Sequence, residues 1–551
     1  MTGSRYDKRE KMQVMMHYDA LYYPYSSRRM VAYAAKGMVS TTQPLAAEAG
    51  LEMLKRGGNA IDAAIATAAC LTVVEPNSNS IGGDTFALVW TQGELHGLNA
   101  SGPSPASISL DKVLAEGHTK MPTYGLLPVT VPGTPASWAA LSERFGRLPL
   151  SEVLAPAIHY AEHGFPVSPT ISAYWKLGQD NIGQQNPPEL FAPWAELFAP
   201  GGKTPRSGEL WRSPGHAQTL RSIAETNAES FYRGELAERI GAYFKEQGGY
   251  LTQEDLAAYR PEWMKPIGVN YRGYDIWEMP PNGQGLIALM ALNMLKGMDF
   301  AAKDTPETLH KQIEAVKLAY ADGLRYITDP DYMEVSVEDL LSDAYAAQRR
   351  ELIGDEALLP APGEPPKGGT VYLAAADGEG NMVSFIQSHS GDFGSGIVIP
   401  GTGICMQNRG SGFSLDPAHP NVLAPRKKTY HTIIPGFITK DGQPVGCFGV
   451  MCGSIQPQAH VQVVMNAIDF GLNPQAALDA PRWRWLREKM IEVEPQFPDH
   501  LAQALARKGH IVQRALDSGM FGRGQIIWRD PVTGVLAGGT EPRADGHIAV
   551  W

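Results

Sequence analysis

Apolar residues are spaced in two different ways along this 551-residue chain. Over its first two thirds they recur mainly with helical spacing. Pro44 to Lys55 reads as a helix closed by a Gly57-Gly58 C-cap, and Asn59 N-caps an alanine-rich second helix to about Val74, small-sided enough to pack closely on a sheet. Helical patterns return from Pro132 to Gly164, Ala217 to Gly249, Gly285 to Leu295, and beyond Met298 to about Arg350. Strands interrupt them: SIGGDTFALVWTQGELHGLNA reads as a hairpin turning at Gln92-Gly93, and YRGYDIWEMPP as a strand closed by prolines. After Thr370 strands dominate, at Thr370 to Ala376, Met382 to Ser388, Gly403 to Gln407, Thr432 to Thr439 and Val445 to Val450. A helix from Pro457 to Gly471 and late strands to Trp551 complete the chain, without internal repeats. Helices enclosing sheets built largely of hairpins predict a layered α+β fold of α/β/β/α type, in preference to a doubly wound parallel sheet.

The change of pattern falls just behind GDEALLPAPGEPPKGG, the most linker-like stretch of the chain. Its prolines keep it out of regular structure, and Gly368 and Gly369 leave room for an attack on the Gly369 carbonyl. An internal threonine hydroxyl is a poor nucleophile. If the Gly369–Thr370 bond breaks, Thr370 gains an α-amine with a pKa of about 7.7–8.0, against about 10.4 for lysine, so nucleophile and base share one residue. On local residues alone the structural reading, a strand threonine behind a glycine loop, outweighs this chemical one.

Composition narrows the classes. Hydrophobic residues at 43% and charged residues at 19% are those of a soluble globular protein with a large core. A formal charge of −11 argues against nucleic-acid and anionic-membrane surfaces, leaving small-molecule amides or peptides as partners. Cys70, Cys405, Cys447 and Cys452 show no CxxC spacing, which favours a reducing compartment. The N-terminus lacks an apolar signal core, so a cytoplasmic location is expected, with the first dozen residues readable as a leader ahead of a start near Met12 or Met15. The charge-free stretch Met121 to Ser142 carries four prolines and is no membrane helix. HExxH, P-loop and GxSxG patterns are absent, and neither metal nor cofactor is expected. GQGLIA at Gly283 formally resembles a dinucleotide fingerprint, but two prolines separate strand from turn and no βαβ unit surrounds it, so it reads as a helix packed tightly on a strand.

An ordered set of motifs adds to this. GGNAIDAAIA, IGGD, VPGTPASW, LTQEDLAAYRP, YRGYDIWEMPP, GGT with DGEGNMVSF, FGSGIV, AIDFGLNPQAALDAPRW and GGTEPRADG, running from about Gly37 to Asp545, resemble the γ-glutamyltransferase family. The resemblance implies a four-layer αββα sandwich of the N-terminal-nucleophile hydrolase type. It implies a precursor that cuts itself into a large-subunit portion, 1–369, and a small-subunit portion, 370–551, sharing one core. By position Thr370 matches the nucleophile, Ser388 the hydroxyl that bonds its terminus, and Cys452 and Gly453 the backbone oxyanion hole. The family's glutamyl-carboxylate arginine falls near Asn99, its amine-binding aspartate at Gly412 and a neighbouring glutamine at Arg409. An asparagine falls at Ser390 and a Ser-Ser pair at His431 and Thr432. The usual α-amino-acid grip is therefore absent, and Arg409 offers a fork for a carboxylate with no acid beside it for an amine; a surface arginine is the alternative. Three readings stay open: an acyl-transferring or hydrolysing enzyme of γ-glutamyl or related carboxylate-bearing amides, an oxamate-type amidohydrolase or cephalosporin/glutaryl acylase, and an inactive member kept for binding.

Overall fold

A computed structural model of the protein describes residues 19, 21–27, 29–360 and 369–551, of which the side chains of 369–371 are outside the description. The suggested leader, the PPKG run with Gly368, and the hydroxyl of Thr370 therefore lie outside the described residues.

Local signals set the hairpins and helix starts. Gln92 and Gly93 both take positive φ (53° and 82°), joining Asp84–Thr91 to Glu94–Ala100 as a two-residue turn requires. Asn59 caps the helix Ala60–Val74 by accepting from the Ile61 and Asp62 N–H groups, while the Asp62 carboxylate takes the Asn59 N–H in return. Every residue of that helix is buried.

These elements assemble into two seven-stranded antiparallel sheets. The first runs Ala32–Ala34, Leu536–Thr540, Arg523–Arg529, Gln443–Met451, Gly436–Lys440, Tyr274–Glu278, Ile267–Tyr271. The second runs His547–Val550, Gly37–Thr41, Gly369–Asp377, Met382–Ser390, Asp84–Thr91, Glu94–Ala100, Glu262–Met264. The sheets stack through an apolar layer that includes Met38, Phe86, Tyr372, Phe437 and Ile527. Pro44–Lys55, Ala60–Val74 and their neighbours cover the outer face of the second sheet, and Gly285–Leu295, Pro306–Tyr326 and Ile455–Ile468 that of the first, giving four αββα layers. No helix among the described residues is long and apolar enough to cross a membrane.

Five expected elements differ. Two are helical patterns: that from 217 to 249 is split at the positive-φ pair Asn227-Ala228 and at Gly234 into Pro214–Thr226, Glu229–Arg233 and Glu235–Glu246, and that beyond 298 into Pro306–Tyr326, Val337–Leu340 and Asp343–Arg350. The helical pattern from 132 to 164 is broken by Pro149 and Pro156 into Thr134–Phe145, Leu150–Val153 and Ala155–His163. Residues 403–407 form isolated bridges through Cys405 and Met406 where a strand was expected. The strand expected from Thr432 begins only at Gly436, because the polar groups before it are taken elsewhere: the His431 N–H donates to Asn282 O, and the Ile434 N–H to Gln456 Oε1. That peeled segment lines the candidate site.

Candidate active site

The strand Gly369–Asp377 starts in an irregular ladder. Gly369 pairs with Ser390 and Val371 with Gln387, so the backbone of Thr370 faces two residues, Ser388 and His389, across a bulge. The Ser388 hydroxyl accepts from the Ser390 N–H at 2.8 Å, and Ser390 itself sits at φ 79°. On the other side of its strand Ser388 is paired with Asp84, and Gly83 passes so close that a Cβ there would stand 2.5 Å from the Ser388 carbonyl oxygen.

The first sheet brings the oxyanion candidates to the same edge. Tyr372 lies against Gly449, and Met38, paired with Ala376, against Gly538. The beginning of Gly369–Asp377 and the end of Gln443–Met451 therefore lie together, and Cys452 and Gly453 follow directly. Both take positive φ (115° and 51°), and among the described residues neither N–H meets an acceptor. Their carbonyls are turned the other way. Cys452 O accepts from the Ile455 N–H, Gly453 O from Gln284 Nε2 at 2.9 Å, and Ser454 O from the Tyr320 hydroxyl. Gln284 also donates to Thr432 O at 2.5 Å and accepts from the Tyr430 hydroxyl at 2.7 Å. The two open N–H groups stand at the N-terminus of the 14-residue helix Ile455–Ile468, whose dipole adds to their attraction for an anion.

Beside Ser388, Asp84 is a buried hub. Its Oδ1 accepts from Gln407 Nε2 at 2.8 Å, and its Oδ2 from His431 Nε2 at 2.9 Å and Arg409 Nε at 3.4 Å. His431 Nδ1 accepts from the Ile433 N–H, which places the ring proton on Nε2. Burial, and then the charge of Arg409, push His431 down to about 4, so it is a neutral donor. Burial also pulls Arg409 down to about 10 against the pull of Asp84. Arg409 Nη1 donates to Thr432 Oγ1 at 2.7 Å, while Nη2 is buried with no partner among the described residues. Arg409 is thus neither a surface residue nor a fork without an acid. Next to it, Asn99 Nδ2 donates to Asn282 Oδ1 at 3.0 Å, Ser101 Oγ to Asn99 Oδ1, and Asn282 Nδ2 to Thr429 O.

The Gamma-glutamyltranspeptidase family model matches residues 46–551. The chain belongs to this family. It is 39% identical over 525 residues to the glutathione hydrolase-like YwrD proenzyme of Bacillus subtilis (93% of this chain, 98% of that one). It is 34% identical to the oxamate amidohydrolase proenzyme of Klebsiella pneumoniae, with the same coverage of both chains. Among solved structures, a cephalosporin acylase from Bacillus halodurans superposes with a TM-score of 0.93 at 63% identity, covering 97% of this chain and 99% of that one.

In this γ-glutamyltranspeptidase-family chain the residues read from sequence separate into two tiers. Arg409 and His431 bind Asp84 directly, Ser388 is its ladder partner, and Thr432 and Ser390 follow through Arg409 and Ser388, while Asn99 is tied into a neighbouring amide network, and the Gly412 carbonyl accepts from Asn421 Nδ2. Asp84, Gln284 and Tyr430 were not singled out. The signals were present: an aspartate directly after the Gly-Gly of IGGD, and a polar residue inside the otherwise apolar GQGLIA. One buried group of metal-ligand type exists among the described residues, His310, Glu314 and His510. Most of its ligand atoms are taken, since His510 Nε2 contacts His310 Nδ1 at 2.8 Å, His310 Nε2 donates to Gly354 O, and Glu314 accepts from Lys317 and the Leu358 N–H, which leaves His510 Nδ1 as the buried nitrogen without a partner among the described residues. It is an internal brace that ties segment 354–358 to helix and C-terminal part.

Proposed function

We propose that this protein is a self-processing N-terminal threonine amidohydrolase in which Thr370 is the nucleophile, acting on an amide whose acyl half carries a carboxylate. The observation that carries the reading is the juxtaposition of the Thr370 backbone with Ser388 and with the two unfilled N–H groups of Cys452 and Gly453. After cleavage before Thr370, its hydroxyl attacks the amide carbonyl and its α-amine takes the proton. The oxyanion meets the Cys452 and Gly453 N–H groups; the C–N bond then breaks, the amine leaves with that proton, and an ester to Thr370 remains for water or a second amine to open. Arg409 Nη2, with Thr432 beside it, supports a carboxylate on the acyl half. The names of the relatives, a glutathione hydrolase-like proenzyme, an oxamate amidohydrolase and a cephalosporin acylase, are compatible with that class. The four unpaired cysteines support a reducing, cytoplasmic setting.

Denaturing electrophoresis with N-terminal sequencing tests this. Wild type gives two chains, the smaller beginning at Thr370, and hydrolyses glutaryl amides; Thr370→Ala stays one chain without activity. A wild type that stays whole and inert, or a T370A variant that hydrolyses normally, overturns the proposal.

A further inference from the structure

A second buried arginine lies on the opposite flank of Thr370. Arg523 is paired with Met451 in the ladder, so it stands beside the residue that leads into Cys452. It is 7% exposed, and its Nε is buried without a partner among the described residues. Its guanidinium lies 4.4 Å from the centre of the Tyr174 ring, and its Nη1 reaches only the weak acceptor Met451 Sδ at 3.8 Å. Unlike Arg409, it makes no ion pair at contact distance among the described residues. The nearby acids are Asp392, which makes no hydrogen bond among the described residues, and Glu75, whose carboxylate accepts from the Thr42 hydroxyl. Burial pushes Glu75 up to about 7 and Asp392 up to about 6 against the pull of Arg523, so near neutral pH Glu75 is partly protonated while Asp392 keeps most of its charge. A buried guanidinium stacked on an aromatic ring and open along its Nε edge is built for a carboxylate.

The sheet order says which part of a substrate reaches it. Starting from the nucleophile strand Gly369–Asp377, Met382–Ser390 and Asp84–Thr91 lead to Arg409, whereas Gly37–Thr41, followed at once by Thr42 and its partner Glu75, leads the other way. In the stacked sheet Arg523–Arg529 lies on that second side of Gln443–Met451. We propose that Arg523 and Tyr174 form a subsite for a carboxylate on the amine half of the substrate, opposite the acyl pocket of Arg409. This rests on the amidohydrolase reading above. It sharpens the substrate class to amides of carboxylate-bearing amines, such as amino acids and peptides, over amides that release ammonia.

The test compares glutarylglycine with glutarylglycinamide, and glutaryl-4-aminobenzoate with glutaryl-4-aminobenzamide, so that two spans are covered. Wild type is expected to prefer the carboxylate of at least one pair in kcat/KM. A charge-assisted fork of about 1.5–3 kcal/mol predicts that Arg523→Met lowers that preference by about 10–100-fold, with Arg523→Lys in between. The effect should fall on KM for the charged member, in protein that electrophoresis shows to be fully processed. A wild type without preference in either pair overturns the subsite, whether or not the variants fold. So does an R523M that instead loses discrimination between glutaryl and valeryl anilides, since that places Arg523 on the acyl half. If processed wild type hydrolyses none of these amides, the amidohydrolase reading itself fails and this one with it.

Discussion

Two arginines flank the same strand, and the chain treats them differently. Arg409 is paired with Asp84 and Thr432, and Asp84 is shared with His431 and Gln407. Arg523 has an aromatic face and a thioether but no carboxylate at contact distance among the described residues. Burying a cation away from a carboxylate is expensive; Arg409 meets that cost inside the fold through Asp84 and keeps only Nη2 open, whereas Arg523 has no carboxylate at contact distance among the described residues, which is the basis for proposing that its partner comes from outside. The difference also teaches caution about position alone. Arg409 falls on a family substrate position, yet two of its three nitrogens are engaged within the fold.

The largest break in the comparison comes from Asp84→Asn. It leaves the Arg409 charge buried and uncompensated, and about 3–5 kcal/mol of stability should be lost, read as a fall in the midpoint of denaturant unfolding. Adding Arg409→Met should restore much of it, because removing both charges is far cheaper than stranding one. A double variant as unstable as the sum of the singles would show that the pair is not coupled. Gln284→Ala acts on the middle of the site. It frees the carbonyls of Gly453 and Thr432, and the Cys452–Gly453 peptides lose their aim. A fall of about 10–100-fold in kcat with little change in KM is expected, below the loss of a whole oxyanion donor. An unchanged kcat would dismiss the brace.

The smallest effect concerns pH. His431 and His389, buried and held down to about 4, bind fewer protons folded than unfolded, so their contribution to stability falls as pH drops from about 6.5 toward 4. Glu75 runs oppositely. Its folded pKa is raised to about 7, so it binds more protons folded than unfolded and costs stability as pH rises from about 4.5 to 7. Glu75→Gln removes that cost while keeping an acceptor for Thr42. The midpoint of thermal unfolding of E75Q, relative to wild type, should therefore climb by a few degrees across that window. A constant gap would mean that Glu75 is not held protonated by burial.

Much of this was legible in the sequence where the cause is local. The Gln92-Gly93 turn, the Asn59 cap and the strand opening at Thr370 each depend on neighbours within a few residues. The segment 432–435 misled, because its apolar run obeys strand spacing while its backbone partners, Gln284 and Gln456, are supplied by the fold. Asp84 and Arg409 are 325 residues apart, and nothing near either announces the other. Arg523 becomes visible only through its ladder register with Met451. Motif order could find the family, but charge pairing across the core needed coordinates.

The order of strands has a further consequence. Gly37–Thr41 is inserted between His547–Val550 and Gly369–Asp377, and Tyr274–Glu278 pairs with Gly436–Lys440, so segments from either side of residue 370 are woven through both sheets. With the proposed cut before Thr370, the connectivity that guided this weave is gone. The uncut precursor refolds as an intramolecular process, independent of protein concentration, whereas the cut molecule, once unfolded, needs two chains to find each other and interleave. On the proposed maturation the cut acts as a ratchet, giving up the covalent memory of the fold for the nucleophile, and an unfolded cut enzyme should refold far less completely on dilution than an unfolded T370A precursor.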